Sequence, residues 1–267
     1  MAAGTHEAIL SAASALMRSA RWAEAGQLLA AADDPAGKAE VALARAQLAV
    51  EVHQWQGAGD PAAALDTAAA RTGDRADPGL AFDLAVLRLF SDYWAELVPG
   101  DGRPPFFGPE GRDPAVLDEL DRRAGHLAAT ASDARRRARA TFYAGIIADN
   151  LRAEPERAEE LFTQALAACR PGADDDYAAE ALRHLGGCAQ AAGDLTLARE
   201  RWERSAALAG QAGWLPLVLA QQALLADLSA DQGDLAGART LAAEVHRWAT
   251  ALHLTRLATQ AEAILSR

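Results

Sequence analysis

The window from Ala179 to Trp202 holds two helical patterns joined at Gly193-Asp194, and the same arrangement returns around Gly233-Asp234, a step of about forty residues. One step earlier the turn is looser, at Glu154-Pro155, yet the small residue after each turn keeps its place as Ala158, Ala198 and Ala238. A chain that repeats itself at such a period folds as a stack of helical hairpins, because each hairpin can bury its apolar face only against its neighbours. The rhythm reaches the N-terminus, where Ala25 follows Arg21-Trp22 and Ala64 follows Gly59-Asp60-Pro61.

This frame predicts hairpins over residues 5 to 32, 37 to 71, 79 to 130, 134 to 169, 175 to 209 and 214 to 250, with 254 to 266 as a closing helix. The breakers between them are Asp33-Asp34-Pro35, Gly73-Asp74 to Pro78, Pro171-Gly172-Ala173-Asp174 and Gly210 to Gly213. Ala, Leu, Arg and Glu dominate while Val and Ile are sparse, which favours helix over strand. The expectation is an all-α array over residues 1–267 as a single domain, because a solenoid grows by adding layers.

A net charge of -11 offers nucleic-acid phosphates no broad attraction, so no nucleic-acid partner is expected. Cys169 and Cys188 are too few for a disulfide framework and suit a reducing compartment. No apolar stretch approaches the roughly eighteen residues needed to span a bilayer, and Met1-Ala-Ala-Gly-Thr-His-Glu7 lacks a basic region followed by an apolar one. A cytoplasmic protein without a membrane partner is the expectation.

Two helices joined by a short turn pack closely only where one presents Gly, Ala or Ser to the other's bulky side chain. Gly186 and Ala198 supply such gaps, Leu182, Leu185 and Leu208 fill around them, and Trp202 wedges between layers as Phe162 does one repeat earlier. On Leu182, Leu185, Gly186, Gly193-Asp194, Ala198 and Trp202, the window from Ala179 to Ala209 resembles a tetratricopeptide repeat, departing from it at Ala189 and Ser205. The longer step resembles stand-alone actinobacterial repeat proteins and the sensor regions of large ATP-binding transcriptional regulators. The specific match covers about residues 134 to 250. The resemblance implies a right-handed superhelix of about six hairpins plus a C-terminal capping helix, with a groove lined by the first helix of each pair and used to hold a peptide or protein segment.

In the repeat frame, Arg139, Phe142, Ile146 and Asp149, then Glu180, Arg183, Gly187 and Gln190, then Asp227 face that groove. Family members that clamp a carboxylate tail use several Lys and Asn residues, whereas here Arg183 stands alone as a bidentate anchor for a carboxylate or phosphate. Asp149-Asn150 closes a first helix with a polar pair that either caps the turn or meets a ligand. The run Arg135-Arg136-Arg137-Ala138-Arg139 reads as a solvated helix start.

The most irregular stretch, residues 98–114, carries five prolines together with Phe106 and Phe107. It cannot continue a helix, and a loop of this length inside an array is either disordered or functional. Because adjacent exposed phenylalanines are a liability, at least one is expected to pack back on the helices, so that the loop either forms a lid over the groove end near Tyr93 and Trp94 or plugs a gap left by unequal helices. Asp92, Tyr93 and Trp94 just before it combine apolar walls with polar tips, which suits a small ligand.

His184 and Cys188 lie four apart on one helical face, a spacing open to Cys/His chemistry or two metal ligands, but no third ligand is placed and packing is the simpler reading. No metal site, cofactor or catalytic residue is expected. Two functions remain: a scaffold whose groove holds a protein or peptide, or a small-molecule binder or enzyme with its site beneath the 98–114 loop. The candidate binding residues are Asp92, Tyr93, Trp94, Phe142, Tyr143, Asp149, Asn150, Arg183 and His184.

Overall fold

A computed structural model describes residues 3–32, 38–73, 77–98 and 105–267. The expected breakers at 33–35 and 74–76, and residues 99 to 104 of the long loop, lie outside the described residues. Among the described residues there are thirteen α-helices and no strand. They are α1 (Ala3–Arg18), α2 (Trp22–Ala31), α3 (Lys38–Gln56), α4 (Ala62–Thr72), α5 (Pro78–Leu97), α6 (Pro114–Thr130), α7 (Ala134–Asn150), α8 (Pro155–Ala168), α9 (Asp175–Ala191), α10 (Leu195–Gln211), α11 (Leu215–Asp231), α12 (Leu235–Ala251) and α13 (Thr255–Leu265). Six pairs and a closing helix give a helical-repeat fold. No helix among them is long and apolar enough to cross a membrane.

The recurring Gly-Asp does two jobs. Gly193 takes φ 83, a left-handed value that Gly adopts without a Cβ penalty. That bend lets Asp194 N–H donate to Ala189 O at 2.9 Å and Gly193 N–H to Gln190 O at 2.9 Å, closing α9. The Asp194 carboxylate then accepts from Leu197 N at 2.9 Å and starts α10. Gly233 and Asp234 repeat this, with Asp234 N–H donating to Ser229 O at 2.9 Å and its side chain accepting from Gly237 N at 2.9 Å. The small residues behind these turns are buried: Ala158 and Ala198 at 0% exposure and Ala238 at 1%. Gly186, Trp202 and Phe162 are buried as well.

The helices group into two compact units, residues 1–81 with 202–267, and residues 82–201. In the first unit the two ends of the chain come together. Met17, Trp22 and Ala25 share one apolar cluster with Leu219, Ala223, Val245, Ala249, Leu254 and Leu257. The closing helix α13 therefore packs on α3 as well as on α11 and α12. Arg18 reinforces the junction by donating to Ala212 O at 3.3 Å, and Trp22 Nε1 donates to Glu51 at 3.2 Å.

In the second unit α7 packs on α6, α8 and α9, α8 also packs on α9, and α5 meets α7 through Tyr93–Asn150 and Phe90–Tyr143. The arginine run at the start of α7 is a clamp, not the solvated face its sequence suggests. Arg135 meets Asp176 at 2.5 Å and Asp174 at 3.1 Å on the α9 side, and lies 4.7 Å over the Tyr177 ring. Arg136 meets Asp83 of α5 at 2.8 Å. Asp174 is fully buried and also accepts from Arg170 N and Nε, both at 2.9 Å, which holds its carboxyl down at about 2.

Candidate functional site

Three successive residues on a helix point about 100° apart, so Asp92, Tyr93 and Trp94 cannot share one target. Tyr93 is 3% exposed and its hydroxyl accepts from Asn150 Nδ2 at 2.7 Å, joining α5 to α7. The Phe90 ring sits 5.9 Å from Tyr93, 5.8 Å from Trp94 and 5.5 Å from Tyr143. Asp92 instead turns toward α6, where Arg123 donates to it at 2.6 Å. It stands apart from the other candidates and serves the α5–α6 pairing.

Phe142 is 5% exposed, 5.9 Å from the Phe162 ring and 5.5 Å from the His184 ring. Placed in the groove by the repeat count, it is a buried packing residue between α7, α8 and α9. His184 stacks on Phe162 at 4.8 Å. Its Nδ1 stands 3.6 Å from the Asp149 carboxylate and its Nε2 3.2 Å from Arg183 Nη1. Both imidazole nitrogens thus face α7 and α9 partners. Cys188 lies in surroundings that push its thiol up to about 11, through burial and then through Asp149 and Glu159, the reverse of what a nucleophilic thiolate requires. Among the described residues no three His, Cys, Asp or Glu side chains gather as a metal site.

What α5, α7 and α9 bring together is a half-buried face of tyrosines and paired charges. Arg139 lies 5.9 Å from the Tyr143 ring centre, 6.0 Å from that of Tyr177 and 3.6 Å from the Asp83 carboxylate. Burial raises the Tyr93 hydroxyl far above its ordinary value; the Asn150 hydrogen bond and Arg183 oppose this, while Asp149 and Glu180 add to it. Arg183, Asp149 and Glu180 are thus close enough to Tyr93 to act on it electrostatically. Burial also raises the Glu180 carboxyl, with Arg183 opposing. Phe90 and Tyr177 were absent from the sequence-derived set; both fall at plausible helical spacings, but their role depends on which neighbour each helix meets.

The loop departs from expectation. Phe106 is 41% and Phe107 62% exposed, so neither is buried against the helices, although the Arg112 guanidinium lies 4.6 Å over the Phe106 ring. Arg112 holds the described part instead: its side chain, 4% exposed, donates to Glu96 O at 2.7 Å, to Gly108 O at 3.0 Å and to Phe106 O. Phe106 N–H donates to Leu97 O and Gly108 N–H to Asn150 O, both at 2.8 Å, which caps the C-terminal ends of α5 and α7. The rule that adjacent phenylalanines must be buried failed because an internal arginine satisfies the loop's carbonyls without them.

The two titrating groups of the face give stability opposite pH signs. Burial lowers His184 below the ordinary 6.5, with Asp149 opposing and Arg183 reinforcing. Its neutral form therefore stabilises the fold above pH 6.5, and that stability is lost as pH falls toward the folded-state value. Glu180, raised above 4.5, takes up its proton in the fold before it does in the unfolded chain, so its contribution grows as pH falls toward 4.5. Urea unfolding across this range should show wild type losing stability relative to His184→Gln and gaining relative to Glu180→Gln; parallel profiles for all three would contradict these environments.

No family model and no curated protein matches this chain. Among solved structures it is similar to the crystal structure of a Rap protein complexed with competence and sporulation factor, at 13% identity and a TM-score of 0.45, covering 95% of this chain and 79% of that one. A likeness of that degree carries neither a ligand nor a mechanism to this chain.

Proposed function

We propose that the protein is a tetratricopeptide-like scaffold and that the α5/α7/α9 face of its second unit holds a peptide or protein segment. The observation that carries this reading is the set of half-buried polar and aromatic side chains Tyr143, Asp149, Asn150, Tyr177, Glu180 and Arg183 on α7 and α9, tied to α5 by the buried Tyr93–Asn150 and Phe90–Tyr143 contacts. Its charges are of both signs, Arg139 and Arg183 beside Glu180 and Asp149, which suits a peptide with its own mixed groups better than a single strongly charged metabolite. The small-ligand or enzyme reading asks for a wall that closes the site, and the described part of the loop turns its phenylalanines outward.

The test is selection of a phage-displayed library of short random peptides on the immobilised protein, followed by fluorescence anisotropy of the enriched sequences. Arg183→Ala removes a charged hydrogen-bond donor, an effect of roughly 1.5–3 kcal/mol, so affinity should fall about tenfold or more. Enriched peptides indifferent to both Arg183→Ala and Glu180→Ala would remove the face from consideration.

A further inference from the structure

Residues 105–113, the described end of the α5–α6 segment, are held by backbone hydrogen bonds to Leu97 and Asn150 and by the inward-turned Arg112, so Phe106 and Phe107 are presented on a defined platform. Phe106 shares in that fixation, with the Arg112 guanidinium 4.6 Å over its ring, while Phe107, 62% exposed, is turned to solvent. Among the described residues the exposed large hydrophobics are Phe106, Phe107, Val116, Leu235 and Trp248, and the first three fall within this loop and the first turn of α6. Apolar side chains concentrated on an ordered, solvent-facing segment mark a contact surface.

The platform also begins where the α5/α7/α9 face ends. Gly108 N–H bonds the carbonyl of Asn150, the residue whose side chain reaches Tyr93. Among the described residues, the charge it leaves toward solvent is mainly negative. Glu96 is 32% exposed in its side chain and Asp149 37%, and Glu110 is exposed. The neighbouring cations are engaged, Arg123 with Asp92 and Arg152 with Asp118, while Arg112 points inward. The negative ends of the α5 and α7 dipoles lie at the same place.

We infer that this loop is a second docking surface for the same partner segment, in which Phe106 and Phe107 cover an apolar side chain flanked by lysine or arginine. This rests on the peptide reading above and deepens it by naming the chemistry of one end of the partner. The partner crosses from the polar face onto the phenylalanines, and its basic flank meets Glu96 and Glu110.

The experiment uses the peptides enriched on the intact chain and measures their affinity for three variants. Phe107→Ser should weaken binding about tenfold and Glu110→Lys several-fold, with thermal melts unchanged because both side chains are solvent-facing. The enriched sequences should pair an apolar residue with lysine or arginine. Loss on Arg183→Ala without loss on the loop variants would overturn the loop proposal and leave the face reading standing. Loss on the loop variants alone would overturn the face reading and, with it, the claim that one segment spans both surfaces. Enriched sequences without a basic residue, or a Phe107→Ser variant that changes sedimentation mass but not peptide affinity, would also overturn the loop proposal, the latter showing a contact between copies. A library that yields no enriched peptide overturns both.

Discussion

Gly145→Leu should unfold the second unit, and Gly145→Ala should cost it roughly 2 kcal/mol. A Cβ at Gly145 would lie 2.5 Å from Cε1 and 2.7 Å from Cδ1 of the Phe162 ring. That ring is fully buried, with Phe142 at 5.9 Å and His184 at 4.8 Å on either side, so it has nowhere to retreat. Helix propensity works the other way, since alanine in place of glycine inside α7 is worth up to about 1 kcal/mol. The clash, typically about 1–3 kcal/mol or more for overpacking, outweighs it. Phe162→Leu should rescue part of the Gly145→Ala loss, giving a coupling well above the additive error of roughly 0.5 kcal/mol in urea unfolding. A neutral or stabilising Gly145→Ala would show that α7 and α8 do not approach this closely.

Trp22→Ala should cost about 3–5 kcal/mol, the range for removing a large aromatic from a core. Trp22 is 3% exposed and lies in the cluster that unites the first hairpin with α11 to α13, and its loss also strips Glu51 of an indole donor. The effect should appear far away in sequence. Hydrogen exchange in α12 and α13 should quicken along with that in α1 to α3, because Val245, Ala249, Leu254 and Leu257 lose the same neighbour. Exchange that quickens only in the N-terminal helices would contradict a shared core.

What was legible in the sequence is local. Gly193-Asp194 and Gly233-Asp234 announce a helix end and a helix start within two residues, and Ala158, Ala198 and Ala238 announce close packing, so the six pairs follow from spacing alone. Pairings between distant segments are not encoded that way. Nothing in a helical rhythm says that Trp22 will share a core with Leu257, or that Arg135 and Arg136 will reach Asp176 and Asp83 across two interfaces. The candidate site shows the same division. Tyr93, Asn150, Asp149, Arg183 and His184 are brought together, while Asp92 is drawn to Arg123 and Phe142 is buried against Phe162. A rotation of one residue on a helix decides between those fates, and the repeat frame fixes rotation no more finely than that.

The central claim is that partner segments lie along α5, α7 and α9. Hydrogen–deuterium exchange of the protein with and without a saturating selected peptide tests it most directly. Exchange should slow in the C-terminal turns of α5 and α7, in the middle of α9 and in loop residues 105–113, with α12 and α13 unchanged. Protection confined to α10, α12 or α13, with α5, α7 and α9 exchanging as before, would contradict it.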